Sequence, residues 1–190
     1  MGRVQRRPEE KRARLLGAAR TAFAKTGYGA SVHEICQAAG VGIGTFYHQF
    51  PDKSDVMRLL MEEEHQYRVG AFDAIATNGA EDLGAEVSRV LAGSDPELLR
   101  AMLEAIGVNE ALREFARALR EESRERLAAA ITRARQARDI RNPALDANAA
   151  AWAALHVGDV AIDPARSDDV RKVIDILVFA PDGDTGRARA

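Results

Sequence analysis

The sequence is poor in cysteine, in aromatic residues and in long apolar runs. One cysteine among 190 residues excludes an intramolecular disulfide framework and a cysteine-rich zinc site, and it fits a reducing compartment. Aromatic residues make up only 5% of the chain. The longest apolar run, Ala149–Leu155, has seven residues, far fewer than the ~18 needed to span a bilayer. We therefore expect a cytoplasmic protein with no membrane partner.

The sequence also lacks the short motifs that mark common enzyme classes. It contains no Walker loop, no nucleophile elbow, no H-E-x-x-H motif and no glycine-rich dinucleotide turn. The four histidines are far apart along the chain, which argues against a metal site. Cys36 is expected on the buried face of a helix, which favours packing over redox sensing. We expect no enzymatic activity, no cofactor and no metal.

The small net charge of −2 conceals an asymmetry between the two ends of the chain. Residues 1–50 contain eight Lys or Arg and three Asp or Glu, a formal charge of +5, whereas the rest carries −7. A basic head on an acidic body suits nucleic-acid binding by one end, because only the head gains from counterion release. Chance fluctuation in a charge-rich chain is the alternative. Likewise, Arg3, Arg6 and Arg7 form either a solvated terminus or a flexible arm that reaches DNA.

Helical patterns cover nearly the whole chain. Apolar positions recur at three- and four-residue spacings, and Gly, Pro, Asn and Asp mark the boundaries. Ser31-Val32-His33-Glu34 matches a capping box, in which Ser31 caps a helix and Glu34 reaches back. The first helix is predicted to begin at Pro8, because proline suits a first turn. The pattern predicts an all-α fold of about nine helices, the last over residues 167–179.

These helices divide into a small head and a larger body. In residues 1–53, three short helices, the second and third joined by a glycine turn, form a helix-turn-helix arrangement. Residues 54–180 form a larger helical body. Residues 181–190 contain one proline and two glycines, and they are predicted to be a disordered tail.

The head contains four short motifs in a fixed order and spacing. They are Phe23…Gly27-Tyr28, Ala39-Gly40-Val41, Gly44-Thr45-Phe46-Tyr47 and Phe50-Pro51-Asp52-Lys53. No single motif is diagnostic, but together they resemble the DNA-binding head of the TetR (tetracycline-repressor-like) transcriptional regulators. The resemblance implies an all-α protein in which residues 54–180 bind a ligand and form a dimer.

The resemblance also implies which residues contact DNA. Small residues at positions 42 and 44 let a recognition helix approach the major groove, and hydroxyls of Thr45 and Tyr47 suit phosphate oxygens. Lys53 adds a positive charge where the helix dipole also favours phosphate. The alternatives are a packed Tyr47 and a merely solvated His33. The predicted DNA-binding residues are Ser31, His33, Gly42, Ile43, Gly44, Thr45, Tyr47, His48 and Lys53.

Two positions depart from the family pattern. The family often has a hydroxyl residue at position 42 and a basic or polar residue at 43, whereas this chain has Gly42 and Ile43. Glycine caps a helix nearly as well as serine, so we expect the fold to be kept. Ile43 cannot donate to guanine, so it is expected to contact a thymine methyl group if it reaches a base. Inward packing of Ile43 is the alternative.

The body is predicted to supply a dimer seam and an effector pocket. Small residues in 149–154 with Gly158, and the apolar stripe Val170, Val173, Ile174, Leu177 and Val178, suit close packing with a second copy. Burial within one subunit is the alternative. The candidate effector-binding residues are Phe72, Met102, Ile106, Phe115, Leu119, Ser123, Trp152 and His156. For each of them, ordinary core or interface packing is the alternative.

The predicted function is that of a ligand-responsive, dimeric transcriptional regulator that binds DNA in a sequence-specific manner. It is expected to be a repressor that a small apolar molecule releases from a palindromic operator. Its partners would be double-stranded DNA, a second copy of the chain and a small-molecule effector. The alternative is a helical interaction protein of the same fold that acts through a protein partner.

Overall fold

The protein is all-helical over the residues that its structure, a computed structural model, describes. These are residues 3–138, 145–160 and 167–179, which contain nine helices and no strand. The helices are α1 (Arg3–Thr26), α2 (Val32–Ala39), α3 (Ile43–Gln49), α4 (Lys53–Asn78), α5 (Leu83–Ala92), α6 (Pro96–Val108), α7 (Glu110–Ala137), α8 (Ala147–Val160) and α9 (Ser167–Phe179). The predicted all-α fold is confirmed for these ranges. The predicted tail at residues 181–190 lies outside them.

Several helix starts follow directly from local sequence. The hydroxyl of Ser31 accepts the amide N–H of Glu34 at 3.2 Å, and the Glu34 carboxylate accepts the Ser31 N–H at 2.7 Å. The predicted capping box is thus confirmed. At the start of α4, the Asp52 carboxylate accepts the amides of Ser54 and Asp55 at 2.6 and 3.1 Å. Side-chain acceptors of this kind satisfy amides that have no partner inside the helix.

The start of α1 differs from the prediction. The prediction that it begins at Pro8 is wrong, because the helix already begins at Arg3. A proline this close to a helix end removes only one backbone hydrogen bond, so the preceding turn can stay helical. Arg3, Arg6 and Arg7 therefore have helical backbone and do not form an extended arm.

The chain forms two compact units. The head unit contains residues 1–64 and 95–117, and the body unit contains residues 65–94 and 118–190. The head unit is thus larger than the helix-turn-helix segment, because it also contains α6, which packs on α1, and the start of α7. The domain boundaries predicted from the sequence, 1–53 and 54–180, stay a prediction.

The two units have different interiors. In the head unit, the rings of Phe23, Phe46 and Phe50 are at most 1% exposed, and those of Phe46 and Phe50 lie 5.6 Å apart. In the body unit, α9 packs on α5 and α8. Its core is mainly aliphatic and rich in alanine. The buried residues of that core include Phe72, Leu83, Val87, Leu127, Ile131, Ala150, Ala151, Ala154, Ile174 and Val178.

Within the described ranges, no helix combines the length and the apolar character of a membrane span. Nor does any group of three or more His, Cys, Asp or Glu residues within those ranges lie close enough together to hold a metal ion.

Candidate nucleic-acid interface

The turn between α2 and α3 depends on a glycine with left-handed backbone geometry. Gly40 has φ of 61°, and its N–H donates to the carbonyl of Gln37 at 3.1 Å. The N–H of Val41 donates to the carbonyl of Cys36, also at 3.1 Å. These two bonds form a Schellman motif, whose left-handed position glycine occupies without strain. The glycine therefore fixes where α2 ends and how the chain enters α3.

Helix α3 has one exposed side and one buried side. Ile43 and Tyr47, one helical turn apart, are 48% and 56% exposed. Gly44 and His48 are exposed next to them. Phe46 is fully buried, and its ring meets that of Tyr47 edge-on with centroids 5.4 Å apart. The two large side chains Ile43 and Tyr47 thus point to solvent, where apolar surface is available for a partner.

The two glycines at the start of α3 are not required by packing within the chain. A Cβ atom added to Gly42 or Gly44 would meet no atom within 4 Å. Gly42 has φ of −76°, which any residue can adopt. Neither backbone geometry nor internal space therefore explains these glycines. Their effect is to leave the backbone at the start of α3 open to close approach from outside.

The start of α2 is exposed but carries a carboxylate. His33 and Ser31 are both exposed. The Ser31 hydroxyl also donates to Oε2 of Glu34 at 2.8 Å, so its proton is used inside the capping box. The backbone N–H and the hydroxyl of Ser31 hold the pKa of Glu34 below its usual value. An anionic ligand at this helix start would therefore meet His33 on one side and the negative charge of Glu34 on the other.

Lys53 lies against the end of α1. Its Nζ donates to the carbonyl of Tyr28 at 2.6 Å and lies 4.3 Å from the centroid of the Tyr28 ring. The side chain is half-buried, and burial lowers the pKa of Lys53. The predicted phosphate-contacting amine thus has a partner within the chain.

Two arginines of α1 contact the ends of α3 and α2. Nη1 of Arg12 donates to the carbonyl of Gln49 at 2.9 Å, and the Arg12 guanidinium lies 4.5 Å from the centroid of the Phe50 ring. Nη2 of Arg14 donates to the carbonyl of Ala39. The sequence indicates neither contact, because the partners are 37 and 25 residues apart and no local pattern connects them.

The candidate effector-binding residues are divided between the two units. Three of them belong to the head unit, where Met102 is buried and Ile106 and Phe115 are half-buried. The other five belong to the body unit, where Phe72 and Ser123 are buried and Leu119 is half-buried. Trp152 and His156, also in the body unit, are exposed. These two exposed residues both belong to α8, and their ring centroids lie 3.9 Å apart at the surface of the chain.

Ser123 belongs to a buried polar cluster that the sequence did not indicate. His65 is 4% exposed, with Nδ1 3.2 Å from the Ser123 hydroxyl and Nε2 2.8 Å from the Glu122 carboxylate. The hydrogen bond and charge of His65 lower the pKa of Glu122. Ser123 is itself 4% exposed, so its hydroxyl is not accessible to a substrate in solvent. The cluster instead connects α4 to α7.

Comparison with known proteins agrees with this arrangement of helices. Residues 15–60 match the model of the bacterial regulatory proteins of the tetR family. No curated protein matches the sequence. Among solved structures, GusR of Salmonella enterica superposes with a TM-score of 0.68 at 20% identity, covering 88% of this chain and 95% of that one.

Two further solved structures show the same fold. FadR of Bacillus subtilis, solved in complex with stearoyl-CoA, has a TM-score of 0.67 at 22% identity and covers 87% of this chain and 97% of its own. The TetR-family regulator PfmR of Thermus thermophilus has a TM-score of 0.66 at 22% identity, covering 86% and 96%. The resemblance found in the sequence is thereby confirmed: residues 15–60 match the model of the tetR family of bacterial regulatory proteins, and the described chain has the fold of solved regulators of that family.

Proposed function

We propose that the protein is a dimeric transcriptional regulator that inserts α3 into the major groove of a palindromic operator. The observation that carries this proposal is the outer side of α3. There Ile43 and Tyr47 are about half exposed, and Gly42 and Gly44 leave the backbone open for no internal reason. A helix that enters a groove needs such a bare first turn and side chains that point outward.

Each DNA-binding residue predicted between positions 42 and 48 has a role in this proposal; Thr45 is half-buried and the other five are exposed. Gly42 and Gly44 let the helix start approach the base edges. Thr45, Tyr47 and His48 donate to phosphate oxygens, which fixes the register of the helix on the duplex. Ile43, which has no hydrogen-bonding group, contacts a thymine methyl group and so contributes to sequence preference.

The flanking residues act around this helix. Ser31 and His33 lie at the exposed start of α2, where His33 and free backbone amides contact the phosphate next to the groove. The charge of Glu34 limits such contacts to one side of the helix start. Lys53 supports the interface by holding the end of α1, because its amine lies on the Tyr28 carbonyl.

The dimer is proposed to form through α8 and α9. Trp152, Val173 and Ile176 are 55%, 38% and 65% exposed, although Ala151, Ile174 and Val178 on the same two helices are buried in the body core. Two heads related by a two-fold axis would bind two half-sites about one helical turn apart, or a multiple of that distance. The surroundings of Gly158 and of the Val170 side chain, both also predicted for this seam, lie outside the described set. A DNA-bound regulator of this kind works in the cytoplasm.

A small apolar effector is proposed to act on the body and weaken DNA binding. FadR, which shares the fold, was solved with stearoyl-CoA, and the core here is aliphatic around Phe72. Such an effector changes DNA affinity only if it binds the DNA-bound and the DNA-free states of the protein with different affinity. Native mass spectrometry of the purified protein is expected to show a bound small molecule that weakens the DNA complex when added back. DNA affinity unchanged by any such extract would contradict effector control.

Selection of duplexes from a random pool, followed by sequencing, tests the proposed function. The wild-type protein is expected to enrich a palindrome, and Ile43→Ala to lose preference where a half-site contains thymine. Replacing that thymine by uracil should weaken the wild type but not Ile43→Ala. If folded, dimeric protein enriches no sequence, the proposal is wrong, and capture of a protein partner would then support the alternative interaction function.

A further inference from the structure

We infer that Arg12, Arg14 and Lys53 are positioning residues that hold the three helices of the head in the arrangement needed for DNA, and that none of them is a phosphate contact. Arg12 and Arg14 donate to backbone carbonyls at the ends of α3 and α2, and Lys53 donates to a carbonyl in the connection that follows α1. The effect of this positioning on DNA binding rests on the proposed function, whereas its effect on the helices of the free protein does not.

Two of the three acceptor carbonyls share one position, because Ala39 and Gln49 are the last residues of α2 and α3. The last carbonyls of a helix have no partner inside it and carry the negative end of the helix dipole. A cationic donor satisfies both the hydrogen bond and the charge. The third acceptor, the Tyr28 carbonyl, lies two residues beyond the end of α1, in the connection to α2.

The donors also connect segments that are distant in sequence. Arg12 and Arg14, on α1, reach the ends of α3 and α2 across 37 and 25 residues. Lys53, at the start of α4, reaches the end of α1 across 25 residues. Helix α1 therefore contacts both helices of the helix-turn-helix through two side chains of one helical turn, and α4 fixes α1 in turn.

Two of the three cations, Arg12 and Lys53, have a second contact that orients them. The Arg12 guanidinium lies over the ring of Phe50, 4.5 Å from its centroid, and the Lys53 amine lies 4.3 Å from the centroid of Tyr28. Arg14 lies beside the turn, where a Cβ atom on Gly40 would come within 3.0 Å of its Nη2. A side chain with two partners loses both if it turns to a phosphate, so the intramolecular position is favoured.

The salt dependence of DNA binding separates the two roles. Loss of one phosphate contact lowers the slope of log K against log salt concentration by about 0.9. Loss of a positioning residue leaves the slope unchanged, because the same phosphates are still neutralised when the protein binds. Loss of a positioning residue weakens the operator complex more than the non-specific complex. Base contacts need the correct placement of α3, whereas phosphate contacts tolerate small displacements of the helix.

The test uses the full-length protein with Arg12→Gln, Arg14→Gln or Lys53→Gln, at a temperature well below the unfolding transition. Lys11→Gln is the matched control, because Lys11 is an exposed cation of the same helix and the charge change is the same. Arg12→Lys keeps the charge and a donor but loses the planar contact with Phe50. Operator and non-specific duplexes are titrated over a range of salt concentrations, and amide hydrogen exchange is measured without DNA.

For Arg12→Gln we expect operator affinity to fall roughly tenfold or more, with the slope and the non-specific affinity unchanged, and partial recovery in Arg12→Lys. A slope reduced by about 0.9 would show a phosphate contact and overturn the inference for that residue. Unchanged operator affinity in a folded variant would also overturn it, since a purely stabilising residue has no effect well below the transition.

The exchange measurement separates failure of this inference from failure of the proposed function. Arg12→Gln should speed exchange in α3, and Arg14→Gln should do so at the end of α2 and in the Gly40 turn, whereas Lys11→Gln should change neither. If the wild type binds no DNA, these local changes still support the positioning role and only the proposed function fails. Exchange in Arg12→Gln, Arg14→Gln and Lys53→Gln that is identical to that of the wild type would overturn the positioning role itself.

Discussion

The head unit and the body unit differ in the residues that fill their cores. The head core has three almost fully buried phenylalanine rings, Phe23, Phe46 and Phe50, among aliphatic residues, whereas the body core is mainly aliphatic and rich in alanine, with α5 and α9 in contact near Gly84 and Asp175. In both units a cation donates to a carbonyl near a helix end, as Arg12 does to Gln49 in the head and Arg135 to Val178 in the body. Directional bonds need particular residues at particular positions, whereas many combinations of aliphatic residues fill the same volume.

This difference explains why the sequence is informative in one region and much less so in the other. The glycine turn at Gly40 and the buried Phe46 belong to motifs that mark the family. The body core offers no comparable motif. If the head presents α3 to DNA, as proposed, its geometry must be specified residue by residue. A mainly aliphatic core can exchange residues more freely, because several combinations fill the same volume.

The largest expected effect is a difference in stability between variants of two neighbouring rings of α3. Phe46→Ala removes a fully buried side chain and should lower the free energy of unfolding by about 3–5 kcal/mol. Tyr47→Ala removes a ring that is 56% exposed, so it should change stability by less than about 1 kcal/mol while weakening DNA binding. Urea unfolding monitored by circular dichroism measures both. Equal destabilisation by the two substitutions would show that α3 has no distinct outer side.

The next effect concerns helix contact in the body unit. A Cβ atom on Gly84 would lie 2.2 Å from Oδ1 and 2.7 Å from Cγ of Asp175. Gly84→Ala should therefore destabilise the protein by roughly 1–3 kcal/mol, because the carboxylate of a short side chain cannot move away freely. The double variant Gly84→Ala/Asp175→Ala should recover most of this loss. Equal losses with and without Asp175, measured by urea unfolding, would exclude this contact as the cause.

A smaller effect is expected at the start of α2. Ser31→Ala removes the acceptor of the Glu34 amide and a donor to its carboxylate, which should cost about 1 kcal/mol. Ser31→Thr keeps the hydroxyl and serves as the control. Thermal unfolding should show a lower Tm for the alanine variant only. If both variants unfold at the wild-type temperature, the capping box does not contribute to the stability of the head.

Sequence reasoning worked where the determinants are local. The capping box joins Ser31 to a residue three positions away, and the predicted span of the last helix agrees with α9. The contacts of Arg12 and Lys53 span 37 and 25 residues, so they could not be found without the fold. The start at Pro8 failed because a preference for the first turn does not forbid an earlier helix start.

The candidate sites show the same limit. Ile43 and Tyr47 are about half exposed in the structure, whereas the sequence left their inward packing open. Apolar patterns in the body could not distinguish core from surface. Phe72 is buried, whereas Trp152 is 55% exposed on α8. Helical periodicity indicates that a face is apolar, and only the packing of other helices decides which apolar face is covered.

The smallest expected effect is a difference in pH dependence between the two units. Burial and the nearby Asp82 raise the pKa of Asp175 in the body, whereas the Ser54 hydroxyl and backbone amides lower the pKa of Asp52 in the head. An acid with a raised pKa destabilises the fold once it is ionised, so the wild type gains stability as pH falls through the folded-state pKa. Asp52 acts in the opposite sense: its contribution is present above the unfolded-state pKa and is lost as pH falls through its lowered folded-state pKa.

Asp175→Asn should therefore be slightly more stable than the wild type at pH 7, and this advantage should shrink in acid. Asp52→Asn should be slightly less stable at pH 7, and this deficit should also shrink in acid. Urea unfolding at a series of pH values from 7 to about 3 covers the usual range of carboxyl pKa values. Differences that stay constant over the series would show that neither carboxyl group titrates differently in the folded and unfolded states.

The most direct test of DNA binding by the head is amide hydrogen exchange over the whole chain, with and without random-sequence duplex DNA at low salt. The proposed function predicts protection at the start of α2 and in α3, around Ile43, Gly44 and Tyr47, with no protection by DNA in α5 or the body part of α7. Protection confined to the body unit, or no protection anywhere under conditions that favour non-specific binding, would contradict DNA binding by this face.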